Sequence, residues 1–158
     1  MFEYLRKIIS PENDLTGLVT SNHKTERDKK IEIAACALFI EMAQVDGEFT
    51  DDERKFILSE MKKTFDLDEE CANNLMDLAE KKVKESVSVY EFTTIINTTF
   101  SNDEKLDLIQ RLWKLIYRDN KLSAYEDQLI KRIAGNLNIE HKDIINAKLL
   151  VKEQMGLK

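Results

Sequence analysis

Four carboxylates stand in two matched pairs, Asp46 with Glu53 in AQVDGEFTDDER and Asp119 with Glu126 in IYRDNKLSAYED. Carboxylate oxygens ligate calcium, magnesium and manganese, and zinc accepts them as well. Brought together, the four would hold a divalent cation, and a cation so held could activate water for metal-assisted hydrolysis. The same residues also have an architectural use. Thr50-x-x-Glu53 and Ser123-x-x-Glu126 are capping boxes, in which hydroxyl and carboxylate satisfy the free amides at a helix start, each worth on the order of 1 kcal/mol. Asp46 and Asp119 could close Asx-type turns. Both fall at the C-terminal end of a helical pattern, where the macrodipole disfavours negative charge by roughly 0.3–1 kcal/mol. Something must offset that cost in both places. An EF-hand is excluded: with Asp46 as first ligand, Gly47 falls at the second position instead of the sixth, and Ile57 takes the place of the twelfth-position Glu. The second copy fails in the same way, with Lys121 at a ligand position.

The first corner is also crowded with acid. From Asp46 to Glu80 there are twelve Asp or Glu against four Lys or Arg, while the whole 158-residue chain carries −6. Glu48, Asp51 and Asp52 therefore belong to a face suited to a basic protein partner, unless they simply form a solvated helix surface. An acidic chain lacks the basic surface that phosphate backbones require, so nucleic acid is not an expected partner. Cys36 and Cys71 form no C-x-x-C and no Cys/His ligand spacing, and suit a reducing, cytoplasmic setting. His23 and His141 have no second histidine or cysteine at ligand spacing. The four glycines, at 17, 47, 135 and 156, make no phosphate-cradling loop. Nothing here assembles a catalytic constellation, and the reading is non-enzymatic. No apolar run approaches the roughly eighteen residues of a membrane span.

These residues must be positioned by helices. Ile31, Ala35, Leu38, Met42 and Val45 align one apolar stripe from about Thr25 to Val45, which Asp46-Gly47 ends. Ser/Thr-x-x-Glu signatures at Thr50, Ser88, Ser101 and Ser123 then mark helix starts. The pattern predicts helices near Thr50–Phe65, Asp68–Lys84, Ser88–Phe100, Asn102–Arg118, Ser123–Asn136 and Glu140–Met155. The run SVSVYEFTTIINTTF is rich in β-branched residues, yet Val89, Phe92, Ile96 and Thr99 keep a helical step. The helix ending at Arg118 is apolar nearly all round and should be the most buried. Short links imply an all-α, single-domain bundle of about seven helices over residues 25–158. Residues 1–24 read as a short amphipathic segment, with Phe2, Leu5, Ile8 and Ile9 at helical spacing, followed by a polar linker. Docking on the body is its expected use, and it is the one place for membrane-surface contact.

Shifted by seventy-three residues, Met42 meets Leu115, Phe56 meets Leu129 and Ile57 meets Ile130; one residue shorter, Phe65 meets Leu137 and Leu67 meets Ile139. The match covers helix, corner, helix and exit turn, as two copies related by a pseudo-twofold axis would. AQVDGEFTDDERKFI and YRDNKLSAYEDQLIKRIAGNLNI resemble the Asp-Gly-x-[Leu/Val/Phe]-[Ser/Thr]-x-x-Glu pattern of TerB-like domains. That family includes tellurite-resistance protein B and the N-terminal part of membrane-tethered J-domain co-chaperones. The resemblance runs from about Lys30 to Glu153. Asn120 and Asn136 stand where the pattern has glycines, and Lys121 places a cation beside Asp119. The resemblance implies an all-helical, pseudo-symmetric fold and a non-enzymatic part in stress response. It also implies that Asp46, Glu53, Asp119 and Glu126 bind a metal or a partner.

Overall fold

The computed structural model describes residues 26–45, 47, 49–119 and 122–157; the N-terminal segment and its entire linker lie outside that range. Among the described residues the chain forms seven α-helices and no strand. They are α1 (Glu26–Gln44), α2 (Asp51–Phe65), α3 (Glu69–Glu85), α4 (Tyr90–Thr99), α5 (Asn102–Ile116), α6 (Ala124–Asn136) and α7 (His141–Gln154), with a 3-10 turn at Tyr117–Asp119 after α5.

Local chemistry sets most of the boundaries. Thr50, Ser101 and Ser123 each accept the backbone N–H of a glutamate three residues on, and each glutamate accepts the cap residue's own N–H. Asp68 caps α3 by accepting from the Cys71 N–H at 2.8 Å, which holds its carboxyl below the usual carboxylate range. The fourth expected box is not formed. Val89 adopts helical angles (φ −62°, ψ −17°) with no side-chain cap. Ser88 Oγ takes the Tyr90 N–H at 3.0 Å instead, the tight hydroxyl turn that competes with capping.

The β-branched run folds as α4 because its polar members serve the helix and its apolar members serve the core. Thr94 Oγ1 donates to the Tyr90 carbonyl at 2.8 Å and Thr99 Oγ1 to the Ile95 carbonyl at 2.7 Å, while Phe92 and Ile96 are buried. Tertiary packing overrides a weak helix propensity.

The centre of the molecule is α1, not α5 as the apolar pattern predicts. Seven consecutive residues, Ala34–Ile40, are buried. Three alanines and Cys36 in IAACALF let neighbours approach on every side, and α1 packs on α2, α3, α4, α5 and α6. The α5 helix is buried over a wide arc from Leu108 to Ile116 and packs on α1, α2, α6 and α7.

The two hairpins share details beyond sequence. Asp66 (φ 54°) and Asn138 (φ 60°) are the non-glycine residues in left-handed backbone among those described, seventy-two positions apart. After each, a backbone N–H reaches back five residues: Leu67 to the Lys62 carbonyl at 3.1 Å and Ile139 to the Ala134 carbonyl at 3.0 Å. These are Schellman-type exits. The exit residue of the second hairpin is therefore Asn138; Asn136, expected in that role, closes the last turn of α6. Contacts also pair off: α1 with α3 and α5 with α7, α1 with α6 and α2 with α5.

Candidate functional site

The first corner begins where α1 stops at Gln44. The Gly47 N–H donates to the Gln44 carbonyl at 3.0 Å, and its φ of +106° is one that a side chain would strain. Phe49 then packs against the core, leaving Thr50 extended (φ −82°, ψ 162°) as the cap of α2. Glu53 Oε1 accepts from the Thr50 N–H at 2.9 Å and from Thr50 Oγ1 at 3.1 Å, and the Glu53 N–H donates to Thr50 Oγ1 at 3.1 Å. Asp51 and Asp52 point into solvent beside this box. Asp46 and Glu48 lie outside the described residues.

The second corner is built differently at its entry. The expected helix to Arg118 ends as α-helix at Ile116 and tightens into the 3-10 turn that finishes at Asp119. The side chain of Asp119 lies outside the description, as do Asn120 and Lys121. Leu122 packs on the core as Phe49 does, and Ser123 caps α6. Glu126 Oε1 accepts from the Ser123 N–H at 3.0 Å, while the Glu126 N–H donates to Ser123 Oγ at 3.1 Å. Burial pushes the Tyr117 hydroxyl up, and the charges of Asp127 and Glu126 push it further. Cations answer this negative potential. Lys131 pairs with Asp127 at 2.8 Å, Lys152 sits 5.9 Å from the Tyr117 ring centre, and Arg118 lies 5.7 Å from the Phe56 ring of α2.

Of the four expected ligands, then, Glu53 and Glu126 are seen at work as capping carboxylates. Among the described residues no three His, Cys, Asp or Glu side chains are grouped to hold a metal. The structure thus shows the architectural use of the Glu pair, and a cation site would need Asp46 and Asp119 to complete it.

The acidic face takes shape on α2 and α3. Arg54 spans to Asp77 at 3.1 Å and to Glu80, and Lys62 pairs with Glu69. Asp51, Asp52, Asp66 and Glu70 remain exposed without an ion pair among the described residues. Glu60 belongs to the same run of sequence yet turns inward. Its Oε1 accepts from Arg111 Nη1 at 2.9 Å, and Arg111 Nε donates to Asp107 at 2.7 Å. Burial presses the Arg111 guanidinium down, and the hydrogen bonds and charges of Asp107 and Glu60 outweigh it, holding it up. The Asp107–Arg111 spacing of four is readable in sequence; the link to Glu60, fifty-one residues away, has no sequence signal.

An all-helical body with doubled, capped corners defines a class of small helical modules. The family model described as Tellurite resistance protein TerB matches residues 32–149. The chain belongs to the TerB family. No curated protein and no solved structure gives a significant match. Among the described residues no helix is long and apolar enough to cross a membrane.

Proposed function

We propose that this TerB-family chain is a non-enzymatic interaction module of a stress response, and that it presents the acidic face of α2 and α3 to a basic protein surface. The supporting observation is the uncompensated charge of Asp51, Asp52, Asp66 and Glu70, which stay exposed while neighbouring carboxylates are paired. Asp51 and Asp52 also complement the N-terminal dipole of α2, a role that one acid in the first turn would already fill. The test uses the full chain as bait, with covalent cross-linking in the cells that make it, against the variant Asp51→Lys/Asp52→Lys/Glu70→Lys. The proposal expects partners recovered at low salt with the wild type to be lost with the variant. Undiminished recovery of every partner overturns it.

A second reading places a divalent cation, calcium, magnesium, manganese or zinc, at the corners through Asp46, Glu53, Asp119 and Glu126. It is supported by the capping boxes, which hold Glu53 and Glu126 in fixed rotamers so that little ordering remains to be done on binding. Arg118, beside Asp119 and directed at Phe56, weighs against the second corner as a full contributor. Metal-assisted hydrolysis would depend on this cation being held first. Calorimetric titration of each cation into the wild type, Asp46→Asn and Asp119→Asn decides the matter: heat lost in the variants supports a cation site, and no heat in the wild type removes it.

A further inference from the structure

Between α1 and α4, with Lys82 of α3 at its side, lies an open groove of about 880 Å³ beside the first turns of α1. Ile33, Phe92 and Ile95 line it, with Tyr90, 65% exposed, at its edge. Lys29, Lys30 and Lys82 add positive charge to its lining, and Glu91 one negative. A smaller recess between α1 and α3 shares Lys29 and Ile33 and carries the apolar surface on to Leu67 and to Leu78, which is 45% exposed.

The chain itself holds an occupant of fitting chemistry. Twenty-five residues precede Glu26, the first residue of α1, and Lys29 and Lys30 in the lining lie one turn further on. The chain therefore enters the body at the groove. Phe2, Leu5, Ile8 and Ile9 recur at helical spacing and as a helix would make one apolar stripe, with Glu3 and Lys7 on the opposite, solvent-facing side. Sixteen residues separate Ile9 from Glu26. Stretched out they reach at most about 55 Å, and as a flexible tether they average roughly 20–24 Å end to end, which is ample to turn back across the groove. Such a tether gives an effective concentration in the millimolar range. A contact too weak to form between separate molecules would be well populated within one.

We propose that residues Phe2–Ile9 dock in cis into the groove between α1 and α4, covering an apolar surface that the helical body leaves open. The inference is independent of the acidic face and of any cation.

The full chain carrying a benzophenone side chain at Leu5 tests this on irradiation at low micromolar concentration. Cross-links at monomer mass that map to Ile33, Tyr90, Phe92 or Ile95 are expected. They should fall at least several-fold in a chain that also carries Phe2→Asp/Ile8→Asp, changes that leave the helical body untouched. Cross-links at dimer mass whose yield falls on dilution would overturn docking in cis and assign the groove to a second copy. Cross-links confined to other faces, or insensitive to the two aspartates, would overturn the proposal outright. As a second measurement, Leu5→Asp/Ile8→Asp should raise the binding of a hydrophobic dye to the intact chain at least twofold, and unchanged dye binding contradicts a covered groove.

Discussion

Arg111→Met is expected to destabilise the protein by about 3 kcal/mol, and Glu60→Gln to rescue part of that loss although it is harmful on its own. The Glu60 side chain is 7% exposed, Arg111 9% and Asp107 14%. At an effective dielectric near 20, opposite charges about 3 Å apart attract by roughly 5–6 kcal/mol, and the hydration lost by each ion offsets most of that. Removing the arginine leaves two buried carboxylates with no buried cation, a change that costs about 3–5 kcal/mol in comparable cases. Lys63, 3.9 Å from Glu60 Oε2, and the partial exposure of Asp107 place the cost at the lower end. Glu60→Gln keeps a carbonyl oxygen for Arg111, which still holds Asp107, so about 1 kcal/mol is lost. In the background of Arg111→Met the same substitution removes a stranded charge and should return about 1–2 kcal/mol.

Urea unfolding followed by Trp113 fluorescence and far-ultraviolet circular dichroism reads all four proteins of the cycle. With a denaturant slope near 2 kcal/mol per M, typical of this size, the arginine variant should unfold about 1.5 M earlier. The sign reversal of Glu60→Gln between backgrounds is the diagnostic result. If the two effects add within about 0.5 kcal/mol, the network does not couple α2 to α5 and the reasoning fails.

Three further outcomes follow from the geometry. Ser101→Ala and Ser123→Ala should each cost about 1 kcal/mol in urea unfolding, while Ser88→Ala, which breaks no capping box, should cost less than half as much. Asp66→Gly and Asn138→Gly should each stabilise by roughly 0.5–1 kcal/mol, because glycine adopts left-handed backbone without the steric penalty of a side chain; destabilisation by either would contradict the exits described above. Burial, opposed by the Gln44 hydrogen bond and assisted by the charge of Glu91, raises the Glu41 carboxyl above its ordinary value of 4.5. Its folded state thus favours the protonated acid, so stability from this group is present below the unfolded pKa and lost as pH rises through the folded one. Glu41→Gln should therefore stabilise the protein at pH 7 by an amount that shrinks as pH falls through 4.5, and a gain that persists unchanged at pH 3 would refute it.

How far the fold can be read from sequence depends on the range of the interaction involved. Thr50, Ser101 and Ser123 act on amides three residues away, so their spacing alone marks the starts of α2, α5 and α6. Ser88 carries the same spelling and fails because a competing bond to Tyr90, two residues on, is equally local. The central place of α1 depends on five neighbouring helices, and a stripe count along one helix cannot weigh small residues that permit close approach. Lys105 is a similar case. It is buried, and its Nζ donates to Asn97 Oδ1 at 2.5 Å and to the Leu137 carbonyl at 3.2 Å. A lysine in the first turn of α5 and a backbone carbonyl thirty-two residues away give no sequence hint that they meet. At the corners, the structure shows Glu53 and Glu126 in the capping role that their spacing predicts.

That assignment changes what the repeat can say about function. Positions alike in both hairpins, Thr50 with Ser123, Glu53 with Glu126, Phe49 with Leu122 and Asp66 with Asn138, all serve caps, exits or core contacts. Folding physics is enough to keep each of them in both copies. Positions that differ are free of that demand. Asp51 and Asp52 correspond to Ala124 and Tyr125, and Glu48 to Lys121; Tyr125 is 64% exposed, open to solvent like Asp52 at the matching position. At these three positions the first corner is negative where the second is apolar or positive, while Arg54 of the first stands over Asp127 of the second, and both corners start a well-capped helix. Under the proposed function, this difference in charge is what a partner would recognise, and it would confine that recognition to the first corner.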